Sequence, residues 1–160
     1  MGKILALCCS ALVALVLAAG ASAAGPTREP LPFDPITFDE GVCPFPVTLE
    51  AVVNQEILKD FGDYAIITGR FVARVTNEAN GASIVVNASG PAKIVFGEDS
   101  STLYGRGLGI NIYFPGDLGP GSEGALLLTR GLLIQRFSEN GIEVLRLPRN
   151  VRNLCDVLSA

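Results

Sequence analysis

The stretch 71–88, FVARVTNEANGASIVVNA, carries two runs of alternating apolar side chains that are separated by Asn80-Gly81. Apolar residues take mostly odd positions in the run that begins at residue 64 and even positions in the run that ends at residue 96. A period of two is typical of strands with one buried face, and Asn-Gly between such runs favours a hairpin. A two-residue turn pairs Val75 with Val86 and Ala73 with Ala88, so the two apolar faces coincide. The stretch predicts an antiparallel hairpin over 64–96.

Similar runs lie on both sides of this hairpin, at 47–54, 102–114, 125–138 and 142–147, and Asn140-Gly141 predicts a second hairpin turn. Together they give six long strands in up-and-down order, or seven or eight if some are broken. The last hairpin is apolar on both faces in places. It is therefore either covered on both sides or available to a partner.

The C-terminal segment 150–158 has a different period. Val151, Leu154, Cys155 and Leu158 follow the spacing i, i+3, i+4 and i+7, and Asn150 precedes them as a possible N-cap. This spacing predicts a short helix whose apolar face includes the cysteine.

Cys43 precedes the first strand and Cys155 follows the last. In a six-stranded meander these two positions lie at the same end of the sheet, and a disulfide needs Cα atoms within about 7 Å. A sheet that curls until its edges meet satisfies this condition and removes exposed edges. The sequence predicts a Cys43–Cys155 disulfide in an all-β fold, a small antiparallel up-and-down barrel of six to eight strands with a short C-terminal helix. A β-sandwich is the alternative.

Residues 1–23 have the layout of a secretory signal peptide. Lys3 supplies the positive charge, an apolar run follows from Ile4 to Ala19, and Ala21-Ser22-Ala23 fits signal peptidase. The apolar run is shorter than the roughly 20 residues of a spanning helix. We therefore expect a cleaved signal at 1–23, a Pro-rich N-terminal arm at 24–42, a disulfide-closed barrel domain at 43–160, and a secreted, extracellular protein.

The composition excludes several classes of function. Without Lys3 the chain keeps 11 basic and 16 acidic residues, which argues against nucleic acid and, after signal cleavage, against the membrane as partners. It contains no histidine, which removes the usual general base and most metal sites. The glycines at 105, 107 and 109 lie within a strand, so they are not a dinucleotide fingerprint. We expect no catalytic residues, no cofactor and no metal.

Four segments, CPFPVTLE (43–50), NASGPAKI (87–94), YFPGDLG (113–119) and NLCDVL (153–158), resemble a group of uncharacterised secreted actinobacterial proteins. The resemblance covers about Cys43 to Leu158 and implies export and a disulfide-closed β domain. It implies no catalytic residues. The predicted barrel is also similar in architecture to allene oxide cyclase and dirigent barrels, without their motifs.

One region of the predicted barrel could hold a ligand. Gly107 and its neighbouring glycines leave little side-chain bulk on one face of their strand, and the glycine-rich loop 115–124 could cover the mouth. Tyr104, Arg106, Tyr113 and Asp117 are the polar groups best placed to orient a molecule there. The alternative is that the glycines only let the sheet curl.

The sequence therefore predicts an exported, non-catalytic binding module for a small apolar ligand or a protein partner. The alternative is a cofactor-free enzyme, similar to a cyclase or isomerase, that uses the barrel cavity.

Overall fold

A computed structural model describes residues 25–159. The predicted signal peptide at 1–23, Ala24 and Ala160 lie outside this part of the chain. The all-β class and the short C-terminal helix are confirmed, but the helix begins at Leu154 with Asn153 as its N-cap, and the predicted cap Asn150 and Val151 lie in the preceding strand. The elements are β1 (Thr27–Pro30), β2 (Ile36–Phe38), β3 (Val47–Asn54), β4 (Ile57–Asp60), β5 (Tyr64–Thr68), β6 (Phe71–Asn77), β7 (Ser83–Asn87), β8 (Ala92–Phe96), β9 (Ser100–Gly105), β10 (Leu108–Tyr113), β11 (Ala125–Arg130), β12 (Leu133–Ser138), β13 (Gly141–Arg146), β14 (Asn150–Asn153) and α1 (Leu154–Leu158).

The six predicted long strands are present, and each is interrupted once. Each therefore appears as two consecutive elements, and the six pairs are β3–β4, β5–β6, β7–β8, β9–β10, β11–β12 and β13–β14. All of them pair antiparallel with their neighbours along the chain, as expected for an up-and-down order. The N-terminal arm adds a seventh member, because β1 pairs with β4 and β2 pairs with β3.

The seven long strands form one sheet at one end of the molecule and two sheets at the other. The common sheet has the order β1-β4-β5-β8-β9-β12-β13. The N-terminal sheet is β2-β3-β6-β7, and the C-terminal sheet is β10-β11-β14. Within residues 25–159 no ladder joins β7 to β10, so the sheets do not close into a continuous barrel. We call the place where β7 and β10 separate the fork.

Backbone conformation explains where the C-terminal strands bend. Gly107 separates β9 from β10 with φ of +83°, and Gly131 separates β11 from β12 with φ of +131°. Side chains rarely permit such values, whereas glycine permits them at no steric cost. The Gly131 N–H donates to the Gly107 carbonyl oxygen at 2.8 Å, which ties the two bends together.

Two clusters of buried side chains form the core. The larger lies between the N-terminal and C-terminal sheets and includes Leu49, Val75 and Leu126, with Leu154 from α1. The smaller lies on the opposite face of the C-terminal sheet, where Ile142 and Val144 of the common sheet pack on Tyr113, Ala125 and Leu127. The C-terminal sheet is thus covered on both faces, which accounts for the apolar residues on both faces of β11.

The predicted disulfide is confirmed: Cys43 and Cys155 are bonded, with Cα atoms 5.4 Å apart. It joins the chain just before β3 to α1 after the last strand. No helix among residues 25–159 is long and apolar enough to cross a bilayer.

The central hairpin has the predicted faces but a different register. Val75 pairs with Ile84, and Ala73 pairs with Val86, two residues away from the predicted pairing. A shift of two leaves every side chain on its own face. The difference arises because the loop spans 78–81. The side-chain amides of Asn77 and Asn80 both donate to the Leu158 carbonyl oxygen, at 2.9 and 3.2 Å, and this four-residue loop lets both reach the end of α1.

Candidate functional site

A cleft of about 230 Å³ opens into the interior at the fork. Because the sheets separate here, the space is bounded by residues from all three of them. We call it the interior cleft. Its apolar wall consists of Leu31, Phe33, Leu49, Ile67, Phe71, Leu103, Leu108, Ile110, Ile112 and Leu133.

Small residues leave the space open. The cleft is bordered by Ala88, Gly90, Ala92, Gly105, Gly107, Gly109 and Gly131. A Cβ atom on Gly105 would lie 3.5 Å from Leu103 Cδ2 and 3.7 Å from Leu133 Cβ, which are ordinary van der Waals distances. A Cβ on Gly90 would lie only 2.1 Å from the Leu108 carbonyl oxygen. Gly90 is therefore required for close backbone approach at the fork, whereas Gly105 borders unfilled space.

Four polar side chains line the interior cleft: Glu56, Arg106, Asn111 and Thr129. The Asn111 amide donates to Thr129 Oγ1 at 2.9 Å, and Thr129 Oγ1 donates to the Gly109 carbonyl oxygen at 3.3 Å. The amide donor of Asn111 and the hydroxyl donor of Thr129 therefore already have acceptors within the protein. Burial raises the pKa of the Glu56 carboxyl, which favours its neutral form more than in water.

Among the predicted site residues, Arg106 and Gly107 line the interior cleft, and Tyr104 does not. Tyr104 lies on the outer face of the common sheet with 39% of its surface exposed. The bend at Gly107 accounts for this: before it the cleft is lined by odd positions, Leu103 and Gly105, whereas the even apolar positions Leu108, Ile110 and Ile112 line the cleft only after it. A strand with one continuous parity would have turned Tyr104 inward.

Tyr113 and Asp117 lie elsewhere. Tyr113 is fully buried in the smaller core cluster, and its hydroxyl accepts a hydrogen bond from Gln135 Nε2. Burial raises its pKa to about 12, the Gln135 hydrogen bond lowers it in part, and the charge of Asp117 raises it further. The Asp117 carboxylate accepts from the Phe114 N–H at 2.7 Å and so holds the start of the loop 115–124. The five predicted residues are thus divided among the interior cleft, the outer face and the smaller core cluster with its loop.

Tyr104 and Arg106 meet at a second, more open cleft of about 400 Å³ on the outer face of the common sheet. Directly paired residues cross this face from edge to edge, one on each of the seven strands. This outer row is Arg28, Lys59, Ile66, Lys93, Tyr104, Ile134 and Arg146. Beside it, Lys93 Nζ lies 4.2 Å from the centre of the Tyr64 ring, and Phe61 stacks on Tyr64.

The sequence predictions did not include Glu56, Asn111 and Thr129. Asn111 and Thr129 interrupt apolar strands, and a polar residue inside such a strand is the one signal that could have indicated them. Glu56 lies at the break between β3 and β4, and nothing in the sequence marks that break as part of a cavity.

No family model, curated protein or solved structure matches this chain. The resemblance to the secreted actinobacterial group therefore stays a prediction. Within residues 25–159 no three metal-ligating side chains come together. The arrangement of the interior cleft, with apolar walls and few polar groups, is suited to holding an apolar molecule by burial.

Proposed function

We propose that this protein is an exported, non-catalytic binding module that holds a small apolar ligand in the interior cleft. The observation that carries the proposal is an apolar space left unfilled where the fork separates the sheets. A Cβ atom on Gly105 would meet its neighbours at ordinary contact distances, yet glycine leaves that volume free. A well-packed core ordinarily fills such space, because voids forfeit contact energy.

The size of the space limits the ligand. An apolar cavity of about 150 Å³ in another protein holds benzene, and typical ligand pockets begin near 300 Å³. At about 230 Å³ the interior cleft suits a molecule of one or two rings or a short branched chain. Removal of its surface from water would be the main source of affinity.

The polar groups of the cleft fit a neutral ligand. The Asn111 amide donates to Thr129 and the Thr129 hydroxyl to the Gly109 carbonyl, so these donors do not require an acceptor on the ligand. Burial raises the pKa of the Glu56 carboxyl, which borders the cleft as a hydrogen-bonding group. Arg106 supplies further donors at the fork.

Export is part of the proposal. The layout of residues 1–23 supports it, and so does the Cys43–Cys155 bond, since disulfides persist mainly in oxidising compartments. N-terminal sequencing of protein from the culture medium should begin at Ala24. An intact Met1 on that protein would contradict this part.

Binding can be measured with 1-naphthylamine, a two-ring fluorescent apolar probe within the size limit of the cleft. The chain has no tryptophan, so the probe is seen against little protein background. We expect a blue-shifted, saturable signal with one site per chain. Native mass spectrometry of the secreted protein should also show a bound small molecule that is lost on denaturation. No saturable signal and no bound molecule would refute the proposal.

A cofactor-free isomerase or cyclase is the second candidate. The observation in its favour is that Glu56, with its raised pKa, and Arg106 line the same cleft, as expected for an acid group and a cation that act on one substrate. The bound molecule should be extracted and incubated with fresh protein. A binding module returns it unchanged, whereas an isomerase converts it to an isomer of equal mass, and Glu56→Gln should stop that conversion.

A further inference from the structure

The outer face of the common sheet has a charge pattern that differs from that of the rest of the molecule. Four of the seven residues of the outer row are cations, namely Arg28, Lys59, Lys93 and Arg146, and none is acidic. The chain as a whole carries more acidic than basic residues. We propose that this face binds a linear acidic polysaccharide, independently of the ligand in the interior cleft.

The cations form a line. Neighbouring strands lie about 4.8 Å apart, so seven strands place the ends of the outer row roughly 29 Å apart along the sheet surface. A line of positive charges across a sheet matches a polymer with regularly spaced anionic groups, whereas a compact anion would need the charges to converge. Arg106 lines the outer cleft and adds positive charge beside the row, whereas Arg136 is paired with Glu143 at 3.0 Å and adds no net charge.

The remaining members of the outer row favour sugar rings. Ile66, Tyr104 and Ile134 lie between the cations, and Tyr104 is 39% exposed beside the outer cleft of about 400 Å³. The C–H faces of pyranose rings pack on exposed tyrosine rings and aliphatic side chains, while their carboxylates meet lysine and arginine. Apolar surface between cations therefore serves a polymer that alternates the two chemistries.

The same features disfavour the other polyanions. Nucleic acid and anionic bilayers both reward broad basic surfaces, whereas the cations here form a single row with apolar side chains between them. The apolar side chains of this face lie within strands of a sheet. A bilayer would instead favour apolar side chains on a protruding loop or an amphipathic helix.

The test uses polygalacturonate as the acidic polysaccharide and dextran of equal length as the neutral one. We expect binding to polygalacturonate that weakens with salt, and none to dextran. The variant Lys93→Gln/Arg146→Gln should bind about twentyfold more weakly, since one cation facing an anionic surface contributes on the order of fivefold. The charge-matched variant Arg74→Gln/Arg152→Gln removes two cations outside the row and should change affinity less than twofold.

A second double variant distinguishes loss of charge from a folding defect. Lys93→Arg/Arg146→Lys keeps both charges and should retain binding. Tyr104→Ser should weaken binding while leaving its salt dependence unchanged. The proposal is overturned if polygalacturonate does not bind, or if both double Gln variants lose affinity equally. It is also overturned if phosphatidylglycerol vesicles or single-stranded DNA bind more tightly than polygalacturonate.

Discussion

Replacement of Gly105 by valine should stabilise the fold and close the interior cleft at the same time. Gly105 lies in β9, its backbone is not in a conformation reserved for glycine, and its side-chain position faces the cleft. A Cβ atom there meets its nearest neighbours at 3.5 and 3.7 Å, so the backbone need not move.

The magnitude follows from the three carbons that valine adds. Their burial is worth about 0.8 kcal/mol each, or roughly 2 kcal/mol, and glycine costs a strand about 0.5–1 kcal/mol relative to alanine. Crowding of the γ-methyl groups against Leu103 and Leu133 offsets part of this gain. We expect the free energy of unfolding, measured with urea, to rise by about 1–2 kcal/mol.

Ligand binding should change in the opposite direction. One methylene too many in an apolar pocket reduces affinity by about 10- to 200-fold, and valine adds more than one. The affinity for 1-naphthylamine should therefore fall at least tenfold. Thr102→Val is the control, because Thr102 lies on the outward face of the same strand and valine has the same shape; its probe affinity should be unchanged.

The free energy of unfolding and the probe affinity of Gly105→Val test different parts of this argument. A Gly105→Val variant that is more stable and binds the probe as well as the wild type would show that the cleft is not the site. A less stable variant would show that the space is not available for a side chain.

Three further predictions concern the disulfide and the two residues with shifted pKa values. Replacement of both Cys43 and Cys155 by alanine opens a loop with a sequence separation of 112, and urea unfolding should show a loss of about 4–5 kcal/mol; a loss below about 1 kcal/mol would contradict its role in closure. The Tyr113 phenol has a pKa raised from 10.0 to about 12, so its contribution to stability is complete below pH 10 and is lost as pH rises through 12. Between pH 9 and pH 12 the free energy of unfolding should decrease more steeply for the wild type than for Tyr113→Phe. Parallel curves would argue against burial of the phenol. The Glu56 carboxyl has a pKa raised above 4.5, so the stability linked to it is complete below that pH and decreases as pH rises. The free energy of unfolding of Glu56→Gln, relative to that of the wild type, should therefore be higher at pH 7 than at pH 4. The same difference between variant and wild type at both pH values would contradict the burial of this group.

Local patterns in the sequence predicted the strands and their faces. Odd positions such as Val75 and even positions such as Val86 are buried as expected, because a period of two fixes the face of each residue wherever one side is apolar. The disulfide followed from the two cysteines that lie outside the predicted signal peptide, and strand count and direction place them at the same end of the sheet. The register of the central hairpin did not, because the Leu158 carbonyl that receives Asn77 and Asn80 lies about 80 residues further along the chain.

The site was harder to predict than the fold. The glycine-rich strand was correctly associated with bending, and Gly107 carries a positive φ at the bend. The consequence for Tyr104 was missed, since parity before a bend does not carry over to the residues after it. Tyr113 and Asp117 are near the strand end in sequence, yet core packing and a turn occupy them. Local sequence shows where a chain can bend, but the direction of the bend is decided by long-range packing.

The most direct test of the central claim is a titration of ¹⁵N-labelled protein with naphthalene, followed by amide chemical shifts. The account predicts saturable shifts at residues that border the interior cleft, including Gly90, Gly105, Gly109 and Thr129, and their loss in Gly105→Val. Shifts confined to the outer face around Tyr104, or no saturable shifts at all, would contradict it.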